Sequence, residues 1–253
     1  MYRLTDTVKH LIIINVLMFI GTMAFKESEL FYKWFALYYP QNELFKPWQI
    51  FTHMFMHGGL THIFFNMFAL WMFGIVVEQQ MGARKFVFFY ISCGLGAALV
   101  QLGFYYFQFS QELSVLTSSG FNKASVMEVL NSGYNMYDRR WEQVLTDKQL
   151  ANFVGSFNAS MVGASGAIMG VLVAFGMTNP EARLMLIFLP IPIKAKYFIP
   201  AIIGLDLVSA LTGHSFFSPS NTAYAAHVGG ALTGFLIMWF WKKNQFNQNR
   251  WDL

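Results

Sequence analysis

Residues 163–179 read GASGAIMGVLVAFGMTN, an apolar stretch that carries no charged side chain and has glycines four positions apart at Gly166 and Gly170. Small residues at this spacing allow helices inside a membrane to approach each other closely. Five more apolar blocks lie before and after it, and each approaches the roughly 20 residues that a helix needs to cross a bilayer. Hydropathy therefore predicts six spans, at 9–25, 60–80, 85–107, 163–179, 197–213 and 223–242.

The composition agrees with an integral membrane protein. Hydrophobic residues make up 55% of the 253 residues and charged residues only 12%, whereas soluble domains carry about 25% charged residues. The net charge of +4 is small and the basic residues are scattered, so no nucleic-acid partner is indicated. The predicted fold is an all-α membrane protein, a bundle of six transmembrane helices in contact with the lipid bilayer, formed by a single domain over 1–253.

A long loop insertion is predicted at about 108–160, on the outer side of the membrane. Two four-residue patterns in it, Ser125–Glu128 and Thr146–Gln149, match helix capping boxes. The insertion is therefore expected to contain short helices, and a lid or a substrate-docking element is a hypothesis for its role.

The distribution of basic residues predicts the orientation of the chain. Short connections on the side of the two termini carry basic residues such as Arg84, Lys85 and Lys194. By the positive-inside rule this favours cytoplasmic termini. We therefore expect a multi-pass integral membrane protein, in the plasma (inner) membrane if the source is bacterial.

Ser165 and His227 are polar residues inside apolar spans, where such groups are costly and usually functional. Each has a structural alternative, because a serine at a helix start can cap backbone N–H groups and a histidine can be a buried polar group with a partner. However, Gly230 and Gly234 follow His227 at the spacing of a helix-contact face. If this face packs against Gly166, the imidazole can meet the hydroxyl and activate it as a general base.

The second predicted span contributes His62 and Asn66, which are four positions apart and so share one helix face. Both can donate hydrogen bonds to a developing oxyanion, which makes them a candidate oxyanion-binding arm. A metal site built from His53, His57 and His62 is a competing interpretation, and chance polarity at a helix contact is a third. The metal site is the weaker one, because no carboxylate or cysteine accompanies the histidines and no His-Glu-x-x-His helix is present.

Together these motifs resemble the rhomboid family of intramembrane serine proteases. The resemblance covers essentially the whole chain except the 108–160 loop, and the motifs together are strongly specific. It is carried by His62-x-x-x-Asn66, Gly163-x-Ser165-Gly166-x-x-x-Gly170, Gly74-x-x-x-Glu78-x-x-x-Gly82, and Ala226-His227 with Gly230 and Gly234.

The resemblance implies a rhomboid-like six-helix bundle with a Ser–His dyad that has no third, carboxylate member. Ser165 would be the nucleophile, and His227 would act first as general base and then as general acid. His62, Asn66 and the backbone N–H of Ser165 would stabilise the oxyanion. The implied reaction is hydrolysis of peptide bonds in or near the transmembrane segments of other membrane proteins.

The resemblance also implies the surroundings of this chemistry. Gly163 and Gly166 would border the bound peptide, and Glu78 would tie helices together rather than take part in catalysis. Neither a metal nor an organic cofactor is expected. The partners would be transmembrane protein substrates.

Three positions depart from the family pattern or fall outside it. Gln49 stands where many members have an arginine, which puts the anchoring of the first outer loop in doubt. Met169 stands where an aromatic ring often stacks against the catalytic histidine, so the ring would be held less firmly. Asp206 is an acid inside the fifth span, for which a hydrogen bond to a neighbouring helix is the plain interpretation.

Two other functions remain as alternatives. The first is a catalytically inactive rhomboid-like membrane protein that binds client transmembrane helices, against which stands the presence of Ser165, His227, His62 and Asn66 together. The second is a transporter or channel, since polar groups within spans also mark transport paths. No pair of inverted halves is recognisable in the sequence, which argues against the second.

Overall fold

All six predicted spans are helical in a computed structural model of the protein, which describes residues 4–26, 29–186, 189–214 and 223–248. The second span is made of two helices, α4 and α5, joined without a break by the π-helical turn Leu70–Gly74. The helices of the six spans are α1 (Asp6–Ala24), α4 (Leu60–Ala69) with α5 (Ile75–Met81), α6 (Ala83–Ser118), α9 (Ser165–Thr178), α10 (Ala195–Thr212) and α11 (Tyr224–Gln248).

Short elements connect these helices. Strands β1 and β2 form one antiparallel pair, and β3 and β4 form another. The short elements are α2 (Leu30–Phe35), β1 (Leu37–Tyr38), α3 (Gln49–Thr52), α7 (Lys123–Asn131), α8 (Asp147–Asn158), β2 (Ser160–Met161), β3 (Arg183–Leu186) and β4 (Leu189–Lys194).

The outer surface of the bundle is apolar. Among the described residues, four stretches are long and apolar enough to cross a membrane, namely α1, Leu60–Met81, α6 and α10, and α9 is a shorter apolar helix. On α1, the side chains of Ile13, Leu17 and Ile20 are about half exposed, at 47%, 61% and 57%. A helix with such a surface suits hydrocarbon, where its backbone groups are satisfied internally. The predicted all-α membrane fold is confirmed.

Helix α6 continues beyond the predicted end of the third span. The prediction ended this span at 107, whereas the helix runs to Ser118. Hydropathy falls where the sequence becomes polar, but no glycine or proline follows before Gly120 to stop the helix. The polar turns of α6 therefore mark where the helix leaves the apolar layer, and the loop proper begins about ten residues later than predicted.

The end of α6, together with α7, the 3₁₀ turn Arg139–Gln143 and α8, forms the outer helical cluster. Its core is aromatic, with Phe109 stacked on Phe153 at 4.8 Å between ring centroids and Trp141 against Phe153 at 5.7 Å. Short helices were expected here, and they are present.

Of the two capping boxes predicted in this cluster, one is present and the other is not. The box at Thr146 is confirmed, since its side chain and that of Gln149 satisfy each other's backbone N–H groups. The box at Ser125 is wrong, because α7 begins earlier. Asn122 Oδ1 accepts the N–H of Ala124 at 2.8 Å, so an equally good cap three residues upstream starts the helix.

Helix α9 lies at the centre of the bundle, packed between α6 and α11. Its contact with α11 is made at the glycines that were singled out in the sequence. A methyl group added to Gly230 would overlap the carbonyl oxygen of Gly166, and one added to Gly234 would lie 2.7 Å from Gly170 Cα. The fourth and sixth spans therefore approach backbone to backbone, as the spacing of the glycines predicted.

Glu78 ties the second span to the first. Its carboxylate accepts hydrogen bonds from the Thr5 hydroxyl at 2.5 Å and from the backbone N–H groups of Thr7 and Val8 at 3.1 and 3.0 Å. These are N–H groups of the first turn of α1, which have no partner within the helix and favour negative charge. The expected structural role of Glu78 is confirmed.

Gln49 anchors the first outer loop without a charge. The side chain is buried, and its Oε1 accepts the N–H of Lys46 at 2.9 Å. Its Nε2 donates to the carbonyl oxygens of Lys33 and Leu44 at 3.0 and 2.9 Å. The N–H of Tyr38 also reaches Oε1, at 3.5 Å. One amide thus contacts four backbone groups from separate parts of the loop, so this loop is anchored without a charged side chain.

Candidate active site

Ser165 is the first residue of α9, and the segment before it fixes where that helix begins. Met161 in β2 pairs with Leu37 in β1, and the N–H of Gly163 donates to the carbonyl oxygen of His53 at 3.0 Å. Gly163 has a φ of +130°, a conformation that residues with a side chain rarely adopt. The chain can therefore turn sharply into α9 only because a glycine stands there, and the turn places Ser165 at a helix N-terminus.

A cavity of about 1980 Å³ opens over this N-terminus. Ser165, His227, His62, Asn66 and Gly163 all line it. Pockets for small ligands usually have volumes of about 300–1,000 Å³. The cavity is thus large enough for an extended peptide segment, and it brings together the predicted site residues from α4, α9 and α11; Gly166 lines it as well.

His62 and Ser165 converge above Gly163. A Cβ atom placed on Gly163 would lie 2.9 Å from His62 Nε2 and 3.5 Å from Ser165 Oγ. The Nδ1 atom of His62 accepts the backbone N–H of Gly58 at 3.4 Å. A neutral imidazole whose Nδ1 accepts a hydrogen bond carries its proton on Nε2. Nε2 of His62 is therefore a donor, and it is directed to the space beside Ser165.

Replacing Gly163 by alanine is expected to destabilise the fold. The new methyl group would collide with the His62 ring, and the backbone would be held at a φ that alanine avoids, so we expect a loss of about 1–3 kcal/mol in the free energy of unfolding. Thermal unfolding in detergent measures this. Gly155→Ala is the matched control, since a Cβ there meets nothing within 4 Å; equal melting temperatures for the two variants would contradict the expectation.

Asn66 lies one helical turn after His62 and is buried. Its Nδ2 donates to the carbonyl oxygen of His62 at 3.0 Å, so the amide is held along its own helix at the cavity wall. Met169 is also buried at this wall. The cavity wall therefore carries polar groups from α4, at His62 and Asn66, beside an apolar group from α9 at Met169.

His53 and His57 support the segment that leads into α4, the helix that carries His62. Nδ1 of His53 lies 2.9 Å from the carbonyl oxygen of Gln49, and the His57 ring is 5.0 Å from the His62 ring in an edge-on arrangement. Burial lowers the pKa of His53 to about 4 and that of His57 to about 3, so both are neutral near pH 7. Among the described residues no three His, Cys, Asp or Glu side chains are grouped to hold a metal ion, so the histidine-cluster metal site lacks a ligand set there.

His227 lies in the first turn of α11 and is nearly buried, with 9% of its surface exposed. The start of this helix is fixed by Gln101 of α6, whose Oε1 accepts the N–H of Ala226 at 3.0 Å. The glycine contact with α9 then brings His227 to the same end of the bundle as Ser165. The plain expectation for Asp206 is met, since its Oδ2 lies 2.8 Å from His227 Nδ1.

This partner of His227 is the site feature that the sequence did not assign. The only signal was an acidic residue in an apolar span. Asp206 and His227 lie on different helices, so no helical spacing relates them. The resemblance implied a dyad with no carboxylate, whereas the structure places a carboxylate against the ring.

Comparison with known proteins identifies the family of the chain. The rhomboid domain pattern matches residues 44–121 and 126–244. Presenilin-associated rhomboid-like protein, mitochondrial, of Rattus norvegicus is 30% identical over 181 residues, which cover 71% of this chain and 34% of that protein. Rhomboid protease AarA of Providencia stuartii is 28% identical over 203 residues, covering 75% of this chain and 54% of that protein. Rhomboid protein 1, mitochondrial, of Saccharomyces cerevisiae is 26% identical over 190 residues, covering 75% and 40%.

The chain thus matches between about a third and a half of the length of these curated relatives. The domain pattern, in contrast, extends over most of the chain and includes α4, α6, α9, α10 and α11. The chain belongs to the rhomboid family.

Proposed function

We propose that the protein is an intramembrane serine endopeptidase that cleaves peptide bonds in or near the transmembrane segments of other membrane proteins. The observation that carries the proposal is the convergence of Ser165, His227 and His62 on one large cavity at the N-terminus of α9. A relative is named a rhomboid protease, which agrees with the proposal.

In the proposed reaction, Ser165 Oγ attacks the scissile carbonyl carbon while its proton moves to Nε2 of His227. Nδ1 is occupied by Asp206, so Nε2 is the nitrogen left for this task. The tetrahedral intermediate collapses with cleavage of the C–N bond, and His227 returns the proton to the leaving amine. Water then hydrolyses the acyl-enzyme ester with His227 again as the base.

The proposed oxyanion site has three donors. They are Nε2–H of His62, the amide of Asn66, and the backbone N–H of Ser165, which begins a helix and has no intrahelical partner. His62 is supported as a donor by its Nδ1 contact with Gly58 N–H. Asn66 would have to turn from its own helix carbonyl toward the substrate. Gly163 and Gly166 lie at the cavity wall and leave room for the peptide backbone.

His62→Ala is expected to lower kcat by about 10²–10³-fold with a much smaller change in KM, because the hydrogen bond to the oxyanion forms in the transition state. Steady-state cleavage of a single-span substrate in detergent measures both constants. Phe64→Ala, an exposed position on the same helix, is the control. A His62→Ala enzyme that lost affinity but kept its kcat would contradict the oxyanion role.

The insertion at 108–160 is inferred to belong to the same single domain and not to a second one. Gln108 and Glu112 of α6 and Lys148 and Asn152 of α8 line the outer part of the same cavity, which supports contact with the extramembrane end of a substrate. A single cooperative unfolding transition is expected from calorimetry. Two separated transitions would contradict the inference.

The protein is an integral membrane protein, and its proposed partners are transmembrane substrates within the lipid bilayer. Cytoplasmic termini are inferred from the basic residues of the short connections. The test places a cysteine near Lys243 and treats sealed vesicles of known orientation with an impermeant thiol reagent. Labelling shows on which side of the membrane the C-terminal end lies. The relatives named above as mitochondrial give no support to a plasma-membrane location, which stays a prediction for a bacterial source.

The proposed function is tested by incubating the purified protein with a panel of single-span substrates in detergent, beside Ser165→Ala. A serine-directed fluorophosphonate is applied in parallel. We expect the wild type to cleave a substrate and to be labelled by the fluorophosphonate. The folded Ser165→Ala variant is expected to do neither. A folded wild type that cleaves no substrate and resists labelling would favour a protein that only binds client transmembrane helices.

A further inference from the structure

Asp206 is a buried acid in an otherwise apolar helix. It is 5% exposed, although its neighbours Leu205 and Leu207 on α10 are 38% and 46% exposed. A carboxylate in such surroundings is costly unless it is hydrogen-bonded or paired. Its partner is Nδ1 of His227, at 2.8 Å, and the two side chains shield each other from solvent.

The chemistry of this contact bears on which ring nitrogen of His227 carries the proton. An ionised carboxylate can only accept hydrogen bonds, so Nδ1 of His227 must carry the hydrogen. In the neutral ring Nε2 then holds the lone pair and can accept a proton. His62 on α4 has the opposite arrangement, since its Nδ1 accepts from Gly58. The two histidines are thus set by their neighbours for opposite tasks, one as acceptor and one as donor.

We propose that Asp206 is a positioning residue that keeps the proton of His227 on Nδ1, so that Nε2 serves as the base for Ser165. The proposal rests on the proposed protease function. Asp206 acts through His227 and does not touch the substrate. When the ring takes the serine proton, the same carboxylate faces the positive charge that develops on the imidazolium.

A purely structural role must be distinguished from this one. The buried side chains of α10 are few, namely Ala195, Ile199, Asp206 and Ser209. The hydrogen bond to α11 therefore also fastens α10 to the bundle. A structural role requires volume and a hydrogen bond, whereas the proposed role requires a charged acceptor at Nδ1.

The test compares Asp206→Asn, Asp206→Leu and Asp206→Glu in the full-length protein in detergent. Asparagine keeps the size and a hydrogen bond but not the charge. We expect Asp206→Asn and Asp206→Leu each to lower kcat by at least about 100-fold with KM within about threefold, and Asp206→Glu to recover part of the loss. Ile199→Val, a buried position on the same helix that does not line the cavity, is the control and is expected to keep its kcat.

The second readout is the position of the proton itself. Nitrogen-15 NMR of histidine-labelled protein, with His227→Gln used to assign the signal, is expected to find the neutral wild-type ring protonated on Nδ1. A folded Asp206→Asn enzyme with the kcat of the wild type would overturn the proposal, and so would a wild-type ring protonated on Nε2.

The two readouts separate this proposal from the proposed function. A wild type that neither cleaves substrates nor reacts with the fluorophosphonate would contradict the protease function and the positioning role of Asp206 together. An active wild type with an equally active Asp206→Asn variant would contradict the positioning role alone. The proposed dyad of Ser165 and His227 would still hold.

Discussion

Replacing Ser165 or His227 by alanine is expected to lower kcat by about 10⁶-fold, and replacing both is expected to cost no more than replacing one. The two side chains act as a unit in the proposed reaction, because the hydroxyl is a poor nucleophile until the imidazole takes its proton. Loss of either partner therefore removes the same step. The residual rate would come from the oxyanion donors and from binding alone.

The measurement is single-turnover cleavage of one substrate by the two single variants and the double variant, with melting temperatures recorded for each. Ser118→Ala and His10→Ala are the matched controls, since both positions are exposed. If the losses in log kcat added in the double variant, Ser165 and His227 would be acting independently, and the dyad would be the wrong mechanism.

Replacing Gly230 by alanine is expected to be the most destabilising single methyl addition in the helix contacts described above. The added carbon would overlap the carbonyl oxygen of Gly166, and that atom belongs to the backbone of the central helix. A flexible side chain could turn away, but a helix backbone cannot, so α9 and α11 must separate. We expect a loss of at least about 3 kcal/mol in the free energy of unfolding, at the upper end for overpacked sites.

Thermal unfolding in detergent measures this effect, and cleavage activity at a low temperature reports the second consequence. Separation of α9 from α11 would also move His227 away from Ser165. Gly103→Ala and Gly204→Ala are the controls, because each lies in a helix where a Cβ meets nothing within 4 Å. Both should be neutral or slightly stabilising, as alanine is the better helix former. A Gly230→Ala variant as stable as these controls would contradict the packing.

The features that the sequence determined are those that depend on residues near each other along the chain. The six spans follow from runs of apolar residues, because a bilayer requires long, internally bonded helices. The glycine pairs at 166 and 170 and at 230 and 234 were recognisable because spacing by four places residues on one helix face. The candidate residues Ser165, His227, His62 and Asn66 were found by the same local reasoning, and the structure brings them to one cavity.

Predicted boundaries differ from the observed ones where two local signals competed. Hydropathy predicted that the third span ends at 107, but helix α6 continues to Ser118, two residues before Gly120. Similarly, Asn122 competed with Ser125 as the cap of α7, and the earlier residue forms the cap. Polarity and helix continuity are separate properties, so a prediction that relies on one can misplace the other.

Only the tertiary structure decided which distant groups meet. Gln49 anchors the first outer loop because backbone groups of Lys33, Leu44 and Lys46 come together around its amide. The packing also places the carboxylate of Asp206 against Nδ1 of His227 and the backbone N–H of Gly58 against Nδ1 of His62. Such contacts depend on how helices cross and on which atoms face each other after packing. The sequence by itself thus determined which residues are available for chemistry, and the packing of α4, α9, α10 and α11 decided which groups face the Nδ1 atoms of His62 and His227.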